Sequence, residues 1–369
     1  MLKKIKILYV VSTLQRGGPT NQLFNIISNL NLSKFSPTIL TLSNETNDSM
    51  KGYFSENLTV PIVSAELSRR KDLLFGRKKL FGYIKELDPD IVHAQGFRAD
   101  SLLRKIKIPK ISTLRNFPFL DYPLKYGRIK GFIMAKKHFS IVKKAPYDFF
   151  ACSKFVSDQY KSQDVNVSYV QNGVDTNKFK PLENNQRINL KIDLKVPVNK
   201  RIVIAVNSLI PRKNVLTIIE GFKLFNKAND NLLYILGEGP LKKELVESKD
   251  NSIIFLGKVP NVVDYLQISD IYVSAALSEG LPNGVLEALA CGLPCCLSEI
   301  PSHKEILDFN FRAGILFSSL DVEDLANSLG KAVFLNGLDS LYITKNHLSA
   351  QRMSLNYQDI YINKLINRK

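Results

Sequence analysis

Two glutamates eight positions apart, Glu279 and Glu287, bracket the turn Gly280-Leu281-Pro282-Asn283-Gly284. The run Asp270–Ala275 before them is apolar and β-rich and reads as a buried strand, and Pro294–Ser298 after them reads as another. Between the strands, Val285, Leu286, Leu289 and Ala290 recur at helical spacing, with Asn283 placed to cap the helix and Gly292 to stop it. The unit is therefore strand, loop, helix, strand, with the strands parallel. Gly280, Pro282 and Gly284 keep side chains away from the helix start, whose free N–H groups favour a phosphate. A carboxylate beside a phosphate repels it unless it is aimed elsewhere, and sugar hydroxyls are the natural targets. A phosphate cradle with two hydroxyl-binding acids suits a nucleotide sugar. The bland alternative is a solvated Glu279 and a dipole-stabilising Glu287.

Other chemistry-bearing residues also sit at predicted strand ends. The loop Asn207–Asn214 carries Arg212 and Lys213 into a helix start, where cations oppose the dipole and make sense opposite an anion. The first strand, Ile5–Val11, feeds Gly17-Gly18-Pro19 and a helix, a phosphate-friendly nest or simply a tight turn. The spacing is not Gly-x-Gly-x-x-Gly, which argues against a dinucleotide site. His93-Ala94-Gln95 ends a third predicted strand, at the edge where open α/β sheets bind ligands. Arg115 and Asn116 end a fourth and are expected to contact an acceptor.

These ends must be positioned by alternating strands and helices, which run from Ile5 to Phe317. At 369 residues the chain predicts two domains, with 176–199, rich in Asn, Lys and Pro, as the linker. No apolar run approaches the ~20 residues of a spanning helix, and the N-terminus lacks a signal-peptide core. Cys152, Cys291, Cys295 and Cys296 lack metal-ligand spacing and read as buried, reduced thiols. Residues 1–180 hold 30 Lys+Arg against 14 Asp+Glu, a balance of +16, while residues 181–369 hold 21 against 20, a balance of +1. The basic half predicts an anionic partner: a membrane surface, a pyrophosphate-bearing lipid or nucleic acid. Two zones mix cations with apolar side chains as a bilayer-facing helix does: Arg69 to Phe81, and Asp121 to Lys144 with Tyr122, Tyr126, Phe132 and Ile133.

From Ser278 to Pro294 the sequence resembles the Glu-x7-Glu signature of the family 4 retaining glycosyltransferases. The resemblance implies a GT-B architecture, two Rossmann-like doubly wound domains facing across a cleft. Residues 1–177 would bind the acceptor, 178–345 the nucleotide sugar, and a C-terminal helix, 346–369, would return to the first domain. It implies that Glu279 contacts the donor sugar and Glu287 the ribose. Lys213 matches the Lys of the family's diphosphate clamp. The clamp's Arg position holds Ser208, with Arg212 as the available guanidinium. The family's His-x-His strand end is His93-Ala94-Gln95 here, so His93 or Gln95 takes the sugar contact. The resulting catalytic set is Glu279, Lys213 and His93. Gly18, Arg212, Lys213, Glu279, Leu281, Pro282, Asn283, Gly284 and Glu287 would bind the donor, and Gly17, Gln95, Arg115 and Asn116 the acceptor. The implied reaction is metal-independent hexosyl or N-acetylhexosaminyl transfer with retention, without a cofactor. The acceptor would be a lipid-linked saccharide at the cytoplasmic membrane face, in O-antigen, capsule or lipopolysaccharide synthesis. Two readings compete: a nucleotide-sugar 2-epimerase on the same plan, and a basic nucleic-acid-binding protein, which would need a recognition helix or stacking motif that the sequence does not show.

Overall fold

The computed structural model describes residues 3–67, 76–228 and 230–366. The chain forms two compact units, residues 1–172 with 350–369, and residues 173–349. The crossings thus fall a few residues away from 177/178 and 345/346. Pairing sets them there: Val174 N–H donates to the Leu348 carbonyl at 2.9 Å and Val174 bridges Ser349.

The first unit is built on β1 (Ile5–Val11), β2 (Phe35–Thr41), β3 (Ile62–Ser64), β4 (Ile91–Gln95), β5 (Lys110–Leu114), β6 (Phe149–Ala151) and β7 (Ser168–Tyr169). All pairs are parallel, in the order β3-β2-β1-β4-β5-β6-β7. Alternation along β1 sends Ile7, Tyr9 and Val11 to one core and Leu8 and Val10 to the other, as a strand covered on both faces requires. The helix Ala350–Ile366 belongs to this unit and drives Met353, Tyr357 and Tyr361 into the first of those cores. Its Ser354 Oγ donates to the Ile26 carbonyl at 2.8 Å.

The second unit repeats the plan with β8 (Arg201–Val206), β9 (Asn231–Leu236), β10 (Ile253–Gly257), β11 (Ile271–Ser274), β12 (Cys295–Ser298) and β13 (Gly314–Phe317). The order is β10-β9-β8-β11-β12-β13, again parallel. In each sheet the winding reverses once, between β1 and β4 and between β8 and β11. Open α/β sheets bind ligands outside the C-terminal ends of the strands at such a reversal.

The structure adds one strand and corrects two local readings. β3 was not anticipated, because its three residues follow a proline and carry little pattern. The expected linker contains a helix, Asn184–Asp193, started by a capping box of Glu183 and Gln186. Arg187 anchors that helix, with Nη2 2.7 Å from Asp270 Oδ1. The helix after Glu279 begins at Asn283 itself, so Pro282, not Asn283, occupies the capping position. The four cysteines are buried free thiols.

Candidate functional site

The loops that leave β8 and β11, the two strands at the reversal, carry Arg212, Lys213 and Glu279. They are zipped together. Leu277 N–H donates to the Arg212 carbonyl at 2.9 Å, and the Arg212 guanidinium donates back to the Ser278 carbonyl. Arg212 Nη1 lies 2.9 Å from Glu279 Oε2, and Lys213 Nζ pairs with Glu279 Oε1. One carboxylate is therefore shared by two cations. Burial pulls the Glu279 carboxyl up, but Lys213 and then Arg212 outweigh it and hold the group below its ordinary value. Ser208 is exposed, and the guanidinium of this site comes from Arg212, which faces the same carboxylate as Lys213.

The β8 loop is set by its neighbours. Asn207 N–H donates to the Leu236 carbonyl at 2.9 Å and Leu209 N–H to the Glu238 carbonyl at 3.0 Å. Gly237 sits at φ +132°, and a Cβ there would lie 1.8 Å from the Asn207 carbonyl oxygen. Only glycine permits that approach. Asn214 adopts the left-handed conformation, φ 48°, before the helix Val215–Phe225, a conformation that Asn tolerates better than most residues.

The β11 loop rests on Tyr272. A Cβ on Gly284 would lie 2.6 Å from the Tyr272 hydroxyl, which itself bonds the Val206 backbone. Gly284 is thus small because a phenol lies beneath the helix start. Leu281 and Pro282 are buried. Glu287 lies further along the same helix. Burial pushes its carboxyl up to about 7, with Lys178 pulling the other way, and no ion pair with it is formed among the described residues. Glu279 and Glu287 thus sit in opposite electrostatic states.

Sequence reasoning missed three residues here. Tyr272 feels both carboxylates, as well as Cys295. Asn207 is buried with its Nδ2 unpartnered. His303, fully buried, donates from Nδ1 to the Ser298 carbonyl at 2.8 Å, which leaves Nε2 bare and without a partner. Burial lowers its pKa to about 4, with Glu279 and Lys213 close enough to act on it in opposite senses. Asn207 follows β8, Tyr272 lies within β11 and His303 stands on the helix Pro301–Leu307, and side chains facing inward leave no pattern in the sequence.

In the first unit, His93 is enclosed by its neighbours. It is fully buried, with Nδ1 2.8 Å from Tyr361 Oη and Nε2 2.8 Å from Thr113 Oγ1. Thr113 Oγ1 is 2.8 Å from Tyr357 Oη, and Tyr361 Oη is 3.2 Å from Tyr9 Oη. Burial, then Arg115, lowers the imidazole pKa to about 3, so it stays neutral. His93 is the polar bolt between sheet and C-terminal helix. Gln95 and Arg115 do come together: Arg115 Nη2 donates to Gln95 Oε1 at 3.0 Å and Nη1 to Asn172 Oδ1 at 2.9 Å. Asn116 is half-buried beside them in sequence. Gly17 precedes the helix Gly18–Ser28 in extended backbone, and a Cβ there would meet only Pro19 Cδ at 4.0 Å. What fixes this loop is Glu45, whose two oxygens each accept Leu14 N–H at 3.0 Å.

The basic-apolar zones differ. Residues 69–75 of the first lie outside the described residues, and Leu80 and Phe81 pack into the core, so this part offers no apolar face to a bilayer. The second zone forms two helices, Pro118–Tyr126 and Arg128–Lys144. They meet closely at Gly131, where a Cβ would lie 2.3 Å from the Tyr122 carbonyl oxygen. Buried Asp100 and His138, 2.9 Å apart, with Tyr122 Oη 2.7 Å from His138, lock the pair to the sheet side. Outward, Leu124, Ile129, Phe132 and Ile133 are exposed among Lys125, Arg128, Lys130, Lys136 and Lys137.

Two parallel, doubly wound sheets with this site on the second define a GT-B glycosyltransferase fold. Residues 186–340 match the family model of the glycosyl transferases group 1, and the chain is a glycosyltransferase carrying that domain. It is 26% identical over 351 residues to the Escherichia coli UDP-Gal:alpha-D-GlcNAc-diphosphoundecaprenol alpha-1,3-galactosyltransferase, covering 89% of this chain and 87% of that one. It is 24% identical over 323 residues to the E. coli O-antigen biosynthesis glycosyltransferase WclY, covering 82% and 83%. The structure of Anabaena HepE in complex with UDP and glucose superposes with a TM-score of 0.79 at 15% identity, covering 96% of this chain and 99% of that one.

Proposed function

We propose that this glycosyltransferase moves a hexose or N-acetylhexosamine, with retention, from a nucleotide diphosphate sugar to a lipid-linked saccharide in cell-surface polysaccharide synthesis. The observation that carries this reading is the Arg212–Glu279–Lys213 cluster at the β8/β11 reversal. In the free protein the cations and the carboxylate compensate one another. A donor diphosphate would draw Lys213 and Arg212 onto its oxygens and release Glu279 to accept sugar hydroxyls. The ribose hydroxyls would fall to Glu287. As the bond to the anomeric carbon breaks, negative charge grows on the diphosphate, where the two cations stabilise it in the role a metal ion fills elsewhere. Attack from the leaving-group face, with the departing phosphate taking the proton, retains configuration without a dedicated base.

The relatives' names support the setting. One acts on a diphosphoundecaprenol-linked sugar and the other in O-antigen synthesis. The exposed Ile129, Phe132 and Ile133 among lysines suit contact with an anionic bilayer on the cytoplasmic face. No helix among the described residues is long and apolar enough to cross a membrane, so contact would be peripheral.

The test is transfer from UDP-sugars to a lipid-linked saccharide, with the anomeric configuration of the product read by proton NMR. Glu279→Ala and Lys213→Ala should each lower kcat by about 10²–10³ in folded protein. Wild-type rates in either variant, or an inverted product, would refute the assignment. Consumption of donor without any acceptor would favour the epimerase.

A further inference from the structure

At the C-terminal edge of the first sheet, Gln95 ends β4 and Arg115 follows β5, with Asn172 just beyond β7. The Arg115 guanidinium is half-buried, and no carboxylate pairs with it among the described residues. Its guanidinium partners are neutral amide oxygens, Gln95 Oε1 at 3.0 Å and Asn172 Oδ1 at 2.9 Å. Two donors are left over in the same place. Arg115 Nε and Gln95 Nε2 are both buried without a hydrogen-bond partner, and Gln95 is only 8% exposed.

The orientation of the Gln95 amide is forced. Turning it would set an NH2 against the guanidinium, donor to donor. So the amide must present its oxygen to Arg115 and its NH2 elsewhere. A half-buried charge without a counter-charge, beside buried N–H groups without acceptors, destabilises a fold unless something fills the site. What fits is an acceptor-rich anion, and a guanidinium with an adjacent amide suits phosphate.

We propose that Arg115 and Gln95 form a phosphate-binding subsite of the first unit, separate from the Lys213–Arg212 cations of the second. It rests on the transferase reading for the identity of the phosphate, which belongs either to the acceptor's lipid diphosphate or to the donor. The subsite would hold one phosphate by Arg115 Nε and Gln95 Nε2, and where that phosphate is the acceptor's it would fix the acceptor by its anionic end rather than by its sugar.

The discriminating variant is Gln95→Glu. It keeps the shape and gives Arg115 a counter-charge, so the folded protein should be at least as stable as wild type, yet the site now repels an anion. Full-length protein is titrated by calorimetry with decyl diphosphate, decanol and UDP, with Arg115→Ala and Arg115→Lys alongside. If the acceptor supplies the phosphate, Gln95→Glu and Arg115→Ala weaken decyl diphosphate binding at least about tenfold. Decanol and UDP are then unaffected, and Arg115→Lys falls between. A tenfold loss confined to UDP supports the subsite and assigns it to the donor. Unchanged affinity for both phosphates in folded Gln95→Glu, or a wild type that binds neither, overturns it. Binding is read without turnover. Phosphate loss in a protein that transfers no sugar would therefore sink the transferase reading and leave the subsite standing.

Discussion

Replacing Glu287 with Gln should stabilise the second unit while weakening the enzyme. Burial pushes this carboxyl from its ordinary value of 4.5 up to about 7. At 1.36 kcal/mol for each tenfold change, ionising it in the fold costs up to about 3 kcal/mol, less after allowing for its partial exposure, so roughly 1–3 kcal/mol. The sign follows from proton binding. Below pH 4.5 the carboxyl is protonated folded or unfolded and costs nothing. Between 4.5 and about 7 the folded form holds more protons than the unfolded one, so stability falls as pH rises, then levels off. Glu287→Gln removes that slope. Urea denaturation at a series of pH values should give little difference between variant and wild type near pH 4.5, and a gain of roughly 1–3 kcal/mol at pH 8. In the same variant UDP should bind about tenfold or more weakly, because an amide cannot accept a pair of ribose hydroxyls as a carboxylate does. A stability difference independent of pH would refute the reasoning about burial. A gain in stability with no loss of nucleotide affinity would refute the reason given for keeping an unpaired acid there.

Gly237→Ala would put a Cβ 1.8 Å from the Asn207 carbonyl oxygen and should cost about 2 kcal/mol or more while displacing the Arg212–Lys213 loop, seen as a lower melting temperature together with lost UDP binding. Melting at wild-type temperature would show that the turn can move aside. His93→Ala should lower stability by about 2–4 kcal/mol through the cavity left and the lost bonds to the Tyr361 and Thr113 hydroxyls, yet leave the pH profile of transfer unchanged in whatever protein folds. A shifted profile would give His93 a part in the reaction. Ile129→Glu with Ile133→Glu, both on exposed positions, should abolish flotation with anionic vesicles and leave the melting temperature within a degree or two. Undiminished flotation would move the membrane contact elsewhere.

The sequence showed most strands of both sheets because β-branched and apolar runs between turn residues mark a covered parallel strand. The candidate donor site could be read because Glu279 stands in a Gly-rich loop and Glu287 in the short helix that follows it, the two acids bracketing one turn. The direction of Arg212 was not legible, since a side chain's aim depends on the neighbouring β11 loop, sixty-six residues away in sequence. The enclosure of His93 was not legible, because its surroundings are made by Tyr357 and Tyr361, which come from the far end of the chain. The lone imidazole at a strand end looked like a ligand-facing group, but the C-terminal helix supplies Tyr361 as one of its partners and β5 supplies Thr113 as the other. In the zone from Arg69 to Phe81, the pattern of cations and leucines could not distinguish a bilayer from a protein core, and Leu80 went to the core.

The central claim is that the β8 and β11 loops hold the donor's diphosphate and sugar. It is tested most directly by solving the structure with UDP-sugar bound. The account predicts the diphosphate on Lys213 and Arg212, with Glu279 released from them and turned to the sugar hydroxyls. A donor bound elsewhere, with the Arg212–Glu279–Lys213 cluster still closed on itself, would contradict it.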